Sequence, residues 1–216
     1  MRKSEILALI IVIVSFLIAI SVYPKMPQPV ATHWNRHGEV DGYKTKFWGT
    51  FLVPFVLLGC LGLFIIIPRI DPLKANIFRF IKYYDRFMII TLIVLLIIQL
   101  WAIAWNLGRK MAPEPIFALV FGGLLYYTGV LSENAQRNWF VGIRTPWTIS
   151  SETVWQRTHK LAGLLYRISG ILSIIGGFFS RYAMYFIVGP VILVGLFLII
   201  YSFIIYQRLA RLKSES

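Results

Sequence analysis

The chain holds a single cysteine, Cys60, and only three histidines. One thiol excludes an internal disulfide and any zinc-finger spacing, and its place in an apolar run makes it a small buried residue. Acidic side chains are scarce too, nine Asp and Glu against 22 Lys and Arg. Charged residues of all kinds are 14% of the sequence, where a soluble domain carries about a quarter. A solvated globular surface cannot be built from that supply. No stretch is rich enough in Gly, Ser or Pro to set off a second soluble domain, and no internal repeat is present.

What is abundant is apolar. Hydrophobic residues make up 58% of the chain and fall into six blocks, 6–23, 51–67, 87–107, 116–131, 161–179 and 184–206. A membrane-spanning helix needs about 20 apolar residues in a row. The second block extends back to Phe47 and Trp48, whose rings suit a membrane–water interface. The expected fold is therefore an all-α integral membrane protein, a bundle of about six transmembrane helices. The first block is longer than the apolar core of a cleaved signal peptide, and no small-x-small site follows it promptly, so it reads as a retained signal anchor.

Sidedness follows from Lys and Arg. With the N-terminus in the cytoplasm, the cytoplasmic segments hold 14 of them and the outer segments seven. Both termini are thus expected in the cytoplasm. The net charge of +13 reads as topology and attraction to anionic lipid headgroups. Nucleic acid is a poor partner for a chain with no compact soluble module.

Three connecting segments stand out. After Pro68, Asp71-Pro72 is a helix-start signal. Leu73, Ile77, Phe80, Ile81 and Tyr84 then recur at helical spacing, with Ala75, Arg79, Lys82 and Arg86 opposite and Phe78 as a misfit. That pattern predicts a short interfacial helix with its apolar side in the acyl boundary. The outer loop, 24–49, begins extended because of its prolines, and Gly38 and Asp41-Gly42 mark turns. His33, Asn35, His37, Glu39 and Asp41 crowd its centre. Two histidines four apart would need a helical turn to share a metal, and Gly38 argues against one, so no metal is expected.

The third segment, 132–160, is cytoplasmic and dense in Trp, Arg and Asn. Pro146 forces Thr145 to be extended or in a turn. Ser150 or Ser151 caps a helix, and Glu152 in its first turn complements the dipole. No proline separates that helix from the fifth block. On it, Glu152, Trp155, His159, Ala162, Tyr166, Gly170, Ser173 and Gly177 form one stripe whose small residues allow close helix approach. Arg167 either snorkels back to the headgroups or pairs with a polar group inside the bundle. Catalysis is not expected: the segment offers one His, no Cys, and no carboxylate near Glu152 except Glu133. No cofactor is expected.

The run QRNWFVGIRTPWTISSETVWQRTHKLAG resembles the signature of the SdpI family of membrane proteins, with Asn138, Gly142, Ile143, Arg144, Thr145, Pro146, Trp147, Thr148, Trp155, Thr158 and His159 in place. The outer loop, through His33, Asn35, Gly38, Asp41, Gly42 and Lys46, resembles a small domain of unknown function that often precedes it. The resemblance implies a two-part chain. Residues 1–70 form a two-span unit with the outer loop, and residues 71–216 form an interfacial helix and a four-span unit. It also implies immunity or signalling in the cell membrane of a prokaryote: protection against a membrane-active peptide toxin outside, and recruitment of a cytoplasmic regulator inside. A small transporter or channel is the first alternative, motivated by Gln99, Thr128, Tyr166 and Arg167, although no carboxylate lies within the six blocks. A membrane-embedded enzyme using His159 and Glu152 is the second.

Overall fold

A computed structural model describes residues 2–35, 38–179 and 182–214. His37, one of the two outer histidines, lies outside the described residues, as do Arg36 and Arg181. The chain is helical apart from one small sheet. In order come α1 (Lys3–Val22), a 3-10 turn (Tyr23–Lys25), β1 (Val30–Trp34), β2 (Val40–Lys44), α2 (Lys46–Ile70), α3 (Lys74–Arg79), α4 (Ile81–Asn106), α5 (Pro113–Asn134), α6 (Pro146–Ser150), α7 (Glu152–Gly176) and α8 (Ala183–Ser214). The six apolar blocks map onto the six long helices. Helices α1, α2, α4, α5 and α8 are long and apolar enough to cross a membrane. At 25 residues α7 has the length, but its first turns carry Glu152, Arg157 and Lys160, and Arg167 interrupts the rest. Those first turns precede the apolar stretch that begins at Leu161.

Lipid tails are as apolar as leucine, so close packing and polar contacts must hold such helices together. Helices α1, α2 and α4 meet through Ala8, Val12, Leu57, Leu61, Met88 and Leu92. Inside this group Ser15 and Gln99, both buried, form a clasp: Ser15 Oγ donates to Gln99 Oε1 at 2.5 Å and Gln99 Nε2 donates to the Ser15 carbonyl at 3.0 Å. Helices α5 and α7 touch backbone to backbone. A Cβ on Gly129 would lie 2.6 Å from the Gly163 carbonyl oxygen, and one on Gly170 would lie 2.5 Å from that of Gly122. Gly122 and Gly129 on α5, like Gly163 and Gly170 on α7, are seven residues or about two helical turns apart, so the seam recurs on one face of each helix. The other side of α7 meets α8, where Ser173 Oγ donates to the Phe186 carbonyl at 2.9 Å.

The chain crosses so that both ends of the described chain share one face with α3, α6 and the 135–151 loop; we call this the terminal face. The sheet lies on the opposite, hairpin face. The Lys and Arg bias assigns the terminal face to the cytoplasm.

Three local expectations change. The periodic run 73–84 is split at Phe80, where φ is −115° and ψ 18°, into α3 and the start of α4. Its apolar residues Ile77, Phe80 and Tyr84 pack on Leu131, Ala135 and Trp155, so protein and not lipid covers that side. Asp41-Gly42 lies within β2 instead of making a turn; Gly38, at φ 75°, makes the turn. Gly42 pairs with His33 across an irregular register, and a Cβ there would stand 2.8 Å from the His33 Cβ. Finally, α1 and α4 reach beyond their apolar blocks and bring in Glu5 and Asp85. Glu5 is fully buried and is met by Arg69 Nη2 at 2.9 Å, while Asp85 takes Arg2 at 3.1 Å and the Ser4 hydroxyl at 2.6 Å. This neutral cluster ties the ends of α1, α2 and α4 together.

Candidate functional site

On the terminal face the loop between α5 and α7 is built from the inside. Asn138 is fully buried. Its Oδ1 accepts from the amides of Phe140 and Val141 at 2.9 and 2.6 Å, and its Nδ2 donates to the Gln136 and Val141 carbonyls at 2.8 and 2.9 Å. One side chain thus satisfies a whole turn of backbone. Asp71 does double work from the neighbouring segment. Asp71-Pro72 does not start the helix as expected, since α3 begins at Lys74 with Leu73 as its N-cap; instead Asp71 Oδ1 accepts from the Leu73 amide at 2.6 Å in the turn before it, and Oδ2 accepts from the Trp139 amide at 2.9 Å. Asn76 adds a bond to the Arg137 carbonyl at 2.8 Å.

Thr145 is extended, at φ −99° and ψ 160°, and caps a short helix, α6, that its sequence position had not suggested. The cap is reciprocal: the Thr148 amide donates to Thr145 Oγ1 at 3.2 Å, and the Thr145 amide donates to Thr148 Oγ1 at 2.8 Å. Pro146 starts α6, where a missing N–H costs nothing. Trp147 leaves it sideways, bonds through Nε1 to the Ser202 hydroxyl, and meets Phe203 edge-on at 5.2 Å. Ser151 then caps α7 as expected.

Trp155 and His159 hold the loop from α7. Trp155 is fully buried and donates from Nε1 to the Ala135 carbonyl at 2.8 Å. The His159 ring stacks on it at 3.9 Å. His159 Nε2 accepts from the Ile143 amide at 3.0 Å, which places the ring proton on Nδ1, 2.9 Å from the Trp155 carbonyl. Burial pushes this imidazole, on the cytoplasmic side of the Leu161 span, down to about 4. Gly142 makes the contact possible. It sits at φ 112°, and a Cβ there would lie 2.3 Å from His159 Nε2. Thr158 is buried beside them, its hydroxyl without a hydrogen-bond partner.

The remaining candidates are at the surface. Arg144 is exposed and donates from Nη1 to the Trp139 carbonyl at 3.0 Å, next to the exposed rings of Trp139 and Phe140. Glu152 is exposed and lies 3.5 Å from Arg137 Nε. Arg167 folds back along α7 and pairs with Glu133 Oε2 at 2.8 Å, so it meets a polar group at the end of α5. Of the expected stripe, Trp155, His159, Ala162, Gly170 and Ser173 are buried, while Glu152 is not. Gly163, seven residues before Gly170 and on the same face, is buried with them although the stripe did not name it.

On the hairpin face, His33 pairs with Asp41, and Asn35 braces the turn by accepting the Glu39 amide at 3.1 Å and donating to Glu39 Oε2 at 3.0 Å. Among the described residues no group of three His, Cys, Asp or Glu is placed to hold a metal. Lys46 donates to the Pro24 carbonyl at 3.1 Å and so closes the base of the loop. Asn106 of α4 clamps β1, accepting the Ala31 amide at 2.9 Å and donating to its carbonyl at 3.0 Å. Beneath the hairpin lies a cavity of about 520 Å³ bounded by β1, α2, α4, α5 and α8. That volume falls in the range of small-ligand sites, about 300–1,000 Å³. Trp34, Trp101 and Glu114 line it. Sequence reading passed over all three, since they lie far apart along the chain and carry no spacing signal.

Residues 134–202, from the end of α5 to α8, match the SdpI/YfhL protein family. Residues 10–58, spanning α1, the hairpin and the first half of α2, match a domain of unknown function, DUF1648. Over its length the chain is similar to the immunity protein SdpI of Bacillus subtilis (strain 168), 28% identical over 213 residues that cover 99% of each chain. No solved structure matches.

Proposed function

We propose that this chain, which matches the SdpI/YfhL protein family over residues 134–202, is an immunity protein of sensor type in a prokaryotic cell membrane. It meets a membrane-active peptide on the hairpin face and relays that event to a cytoplasmic partner on the terminal face. The relative's printed name supports the immunity role. One observation supports the relay: two helices that wall the cavity also hold the loop. Helix α8 lines the cavity with Met184 and Ile187 and grips Trp147 with Ser202 and Phe203. Helix α5 lines it with Phe117 and Phe121 and is locked by Gly122 and Gly129 onto α7, which carries Trp155 and His159. A packed connection of this kind transmits a shift because close-packed interfaces do not deform smoothly. We assign the protein no reaction, since both nitrogens of His159 are engaged with backbone.

Cells lacking the gene, challenged with a panel of membrane-active peptides and with medium from competing strains, should lose survival against at least one of them. Wild-type gene in trans should restore it. Unchanged sensitivity across the panel would count against the immunity role.

A further inference from the structure

The hairpin-face cavity has two chemical zones. One to two helical turns inward it is apolar, lined by Leu52, Val53, Ile98, Phe121, Ile187 and Val188. At the hairpin end it is aromatic and acidic, with Trp34, Trp101, Phe117 and Glu114. No Lys or Arg is among its described lining residues, and none pairs with Glu114. His33, also in the lining, is already occupied by Asp41. One ring beside the cavity already holds a cation: Trp34 meets Trp101 and Trp105 edge-on at 4.5 and 5.3 Å, and Lys110 Nζ lies 3.2 Å from the ring centroid of Trp105, which is outside the lining. Electron-rich rings beside a free carboxylate are a cation-recognising arrangement. In addition, the Trp34 indole Nε1 is buried without a hydrogen-bond partner. Such a donor is matched by a peptide carbonyl.

We infer that this cavity binds an apolar peptide segment bearing one positive charge. The ammonium of a Lys or of the peptide's N-terminus lies between Glu114 and the Trp34–Trp101 rings, and the flanking apolar side chains enter the deeper zone. The inference rests on the reading that the hairpin face meets a peptide, and it names the chemistry of that peptide. A phospholipid is a poorer occupant. Its phosphate would sit by Glu114, with no described lining Lys or Arg to balance it.

The test uses the full chain in nanodiscs of phosphatidylcholine and a fluorescent Leu/Ala-rich peptide carrying one lysine, with Gln and Glu analogues. The Lys peptide should bind about tenfold tighter than the Gln analogue. Glu114→Gln should erase that difference, and Glu114→Lys should transfer the preference to the Glu analogue. Val188→Trp, which fills the cavity from a part-exposed position, should weaken all three peptides. Arg109→Ala, outside the lining, should change nothing. Equal binding of the Lys and Gln peptides to the wild type would overturn the inference, as would a Lys preference that survives Glu114→Gln. Loss of peptide binding when phosphatidylethanolamine is added to the nanodiscs would give the cavity to lipid. The two readings fail separately. Unchanged toxin sensitivity on gene deletion, with the Lys preference intact, removes the immunity role alone. Protection that persists in Glu114→Gln cells, with the Lys preference absent, removes this site alone.

Discussion

On the terminal face, Asn138, Thr148 and His159 are at most 1% exposed, and each closes hydrogen bonds with loop backbone. On the hairpin face, the His33 and Asp41 side chains are 71% and 45% exposed and meet each other at the surface. Both regions are conspicuous in sequence for the same kinds of residue. A polar group buried away from water must be paired, or it costs about 1–3 kcal/mol, so the terminal-face set is bound up in making the loop one shape. The surface set stabilises little. The comparison therefore separates residues that shape a site from those left to touch something. On the terminal face those left are Arg144, Trp139 and Phe140; on the hairpin face they are Glu114 and Trp34, whose indole N–H has no partner.

Breaking the architecture should have the largest effect. Gly170→Leu drives a side chain into the Gly122 carbonyl, 2.5 Å from where its Cβ would sit. It should lower stability by about 3 kcal/mol or more and deplete the protein from membranes, read by immunoblot and by melting in detergent. Normal abundance would show that α5 and α7 can part without cost.

His159→Gln should be next. It loses the ring stack on Trp155 and disturbs the bond from the Ile143 amide, at a cost of about 2 kcal/mol. The wild type should also show a pH slope that this variant lacks. The folded value of His159 is about 4 against an ordinary 6.5. The unfolded chain therefore takes the proton first. Stability is full above about pH 6.5, falls as the pH drops, and levels off below about 4. Thermal melts between pH 7 and 4.5 would show it; parallel curves for the two proteins would place the burial of His159 in doubt.

Arg144→Lys sharpens the other side of the comparison. Arg144 is exposed and makes one bond, to the Trp139 carbonyl, which leaves its planar fork free for a carboxylate or phosphate that Lys cannot match in geometry. Protection should fall about tenfold with membrane abundance unchanged. Trp147→Ala should also impair function while the protein still inserts. Full activity of Arg144→Lys at normal abundance would reduce Arg144 to a lipid anchor.

The smallest effects belong to isolated surface charges. Arg109→Ala should shift the melting free energy by less than about 0.5 kcal/mol and leave survival intact. A larger loss would mean that the short outer turn after α4 carries more than a charge.

The six long helices, five of them long and apolar enough to cross a membrane, the all-α class and the Ser151 cap were readable from sequence because they depend on neighbours along the chain. Transfer of an apolar residue to lipid is summed over one helix, whatever that helix packs against. Ser151 caps α7 from three residues away, and Asp71 holds the Leu73 amide from two. The family resemblance was likewise legible in the 138–159 run. Tertiary structure decided the rest. Whether Ile77, Phe80 and Tyr84 face lipid or protein depends on where α5 and α7 stand, and both surroundings are equally apolar. Asp71 Oδ2 reaches a backbone amide 68 residues away. Glu133 and Arg167, or Trp34, Trp101 and Glu114, become neighbours only once the helices cross as they do. Hydropathy places a residue at a depth in the membrane but says nothing of its position around the bundle, and a site is made by groups that share both.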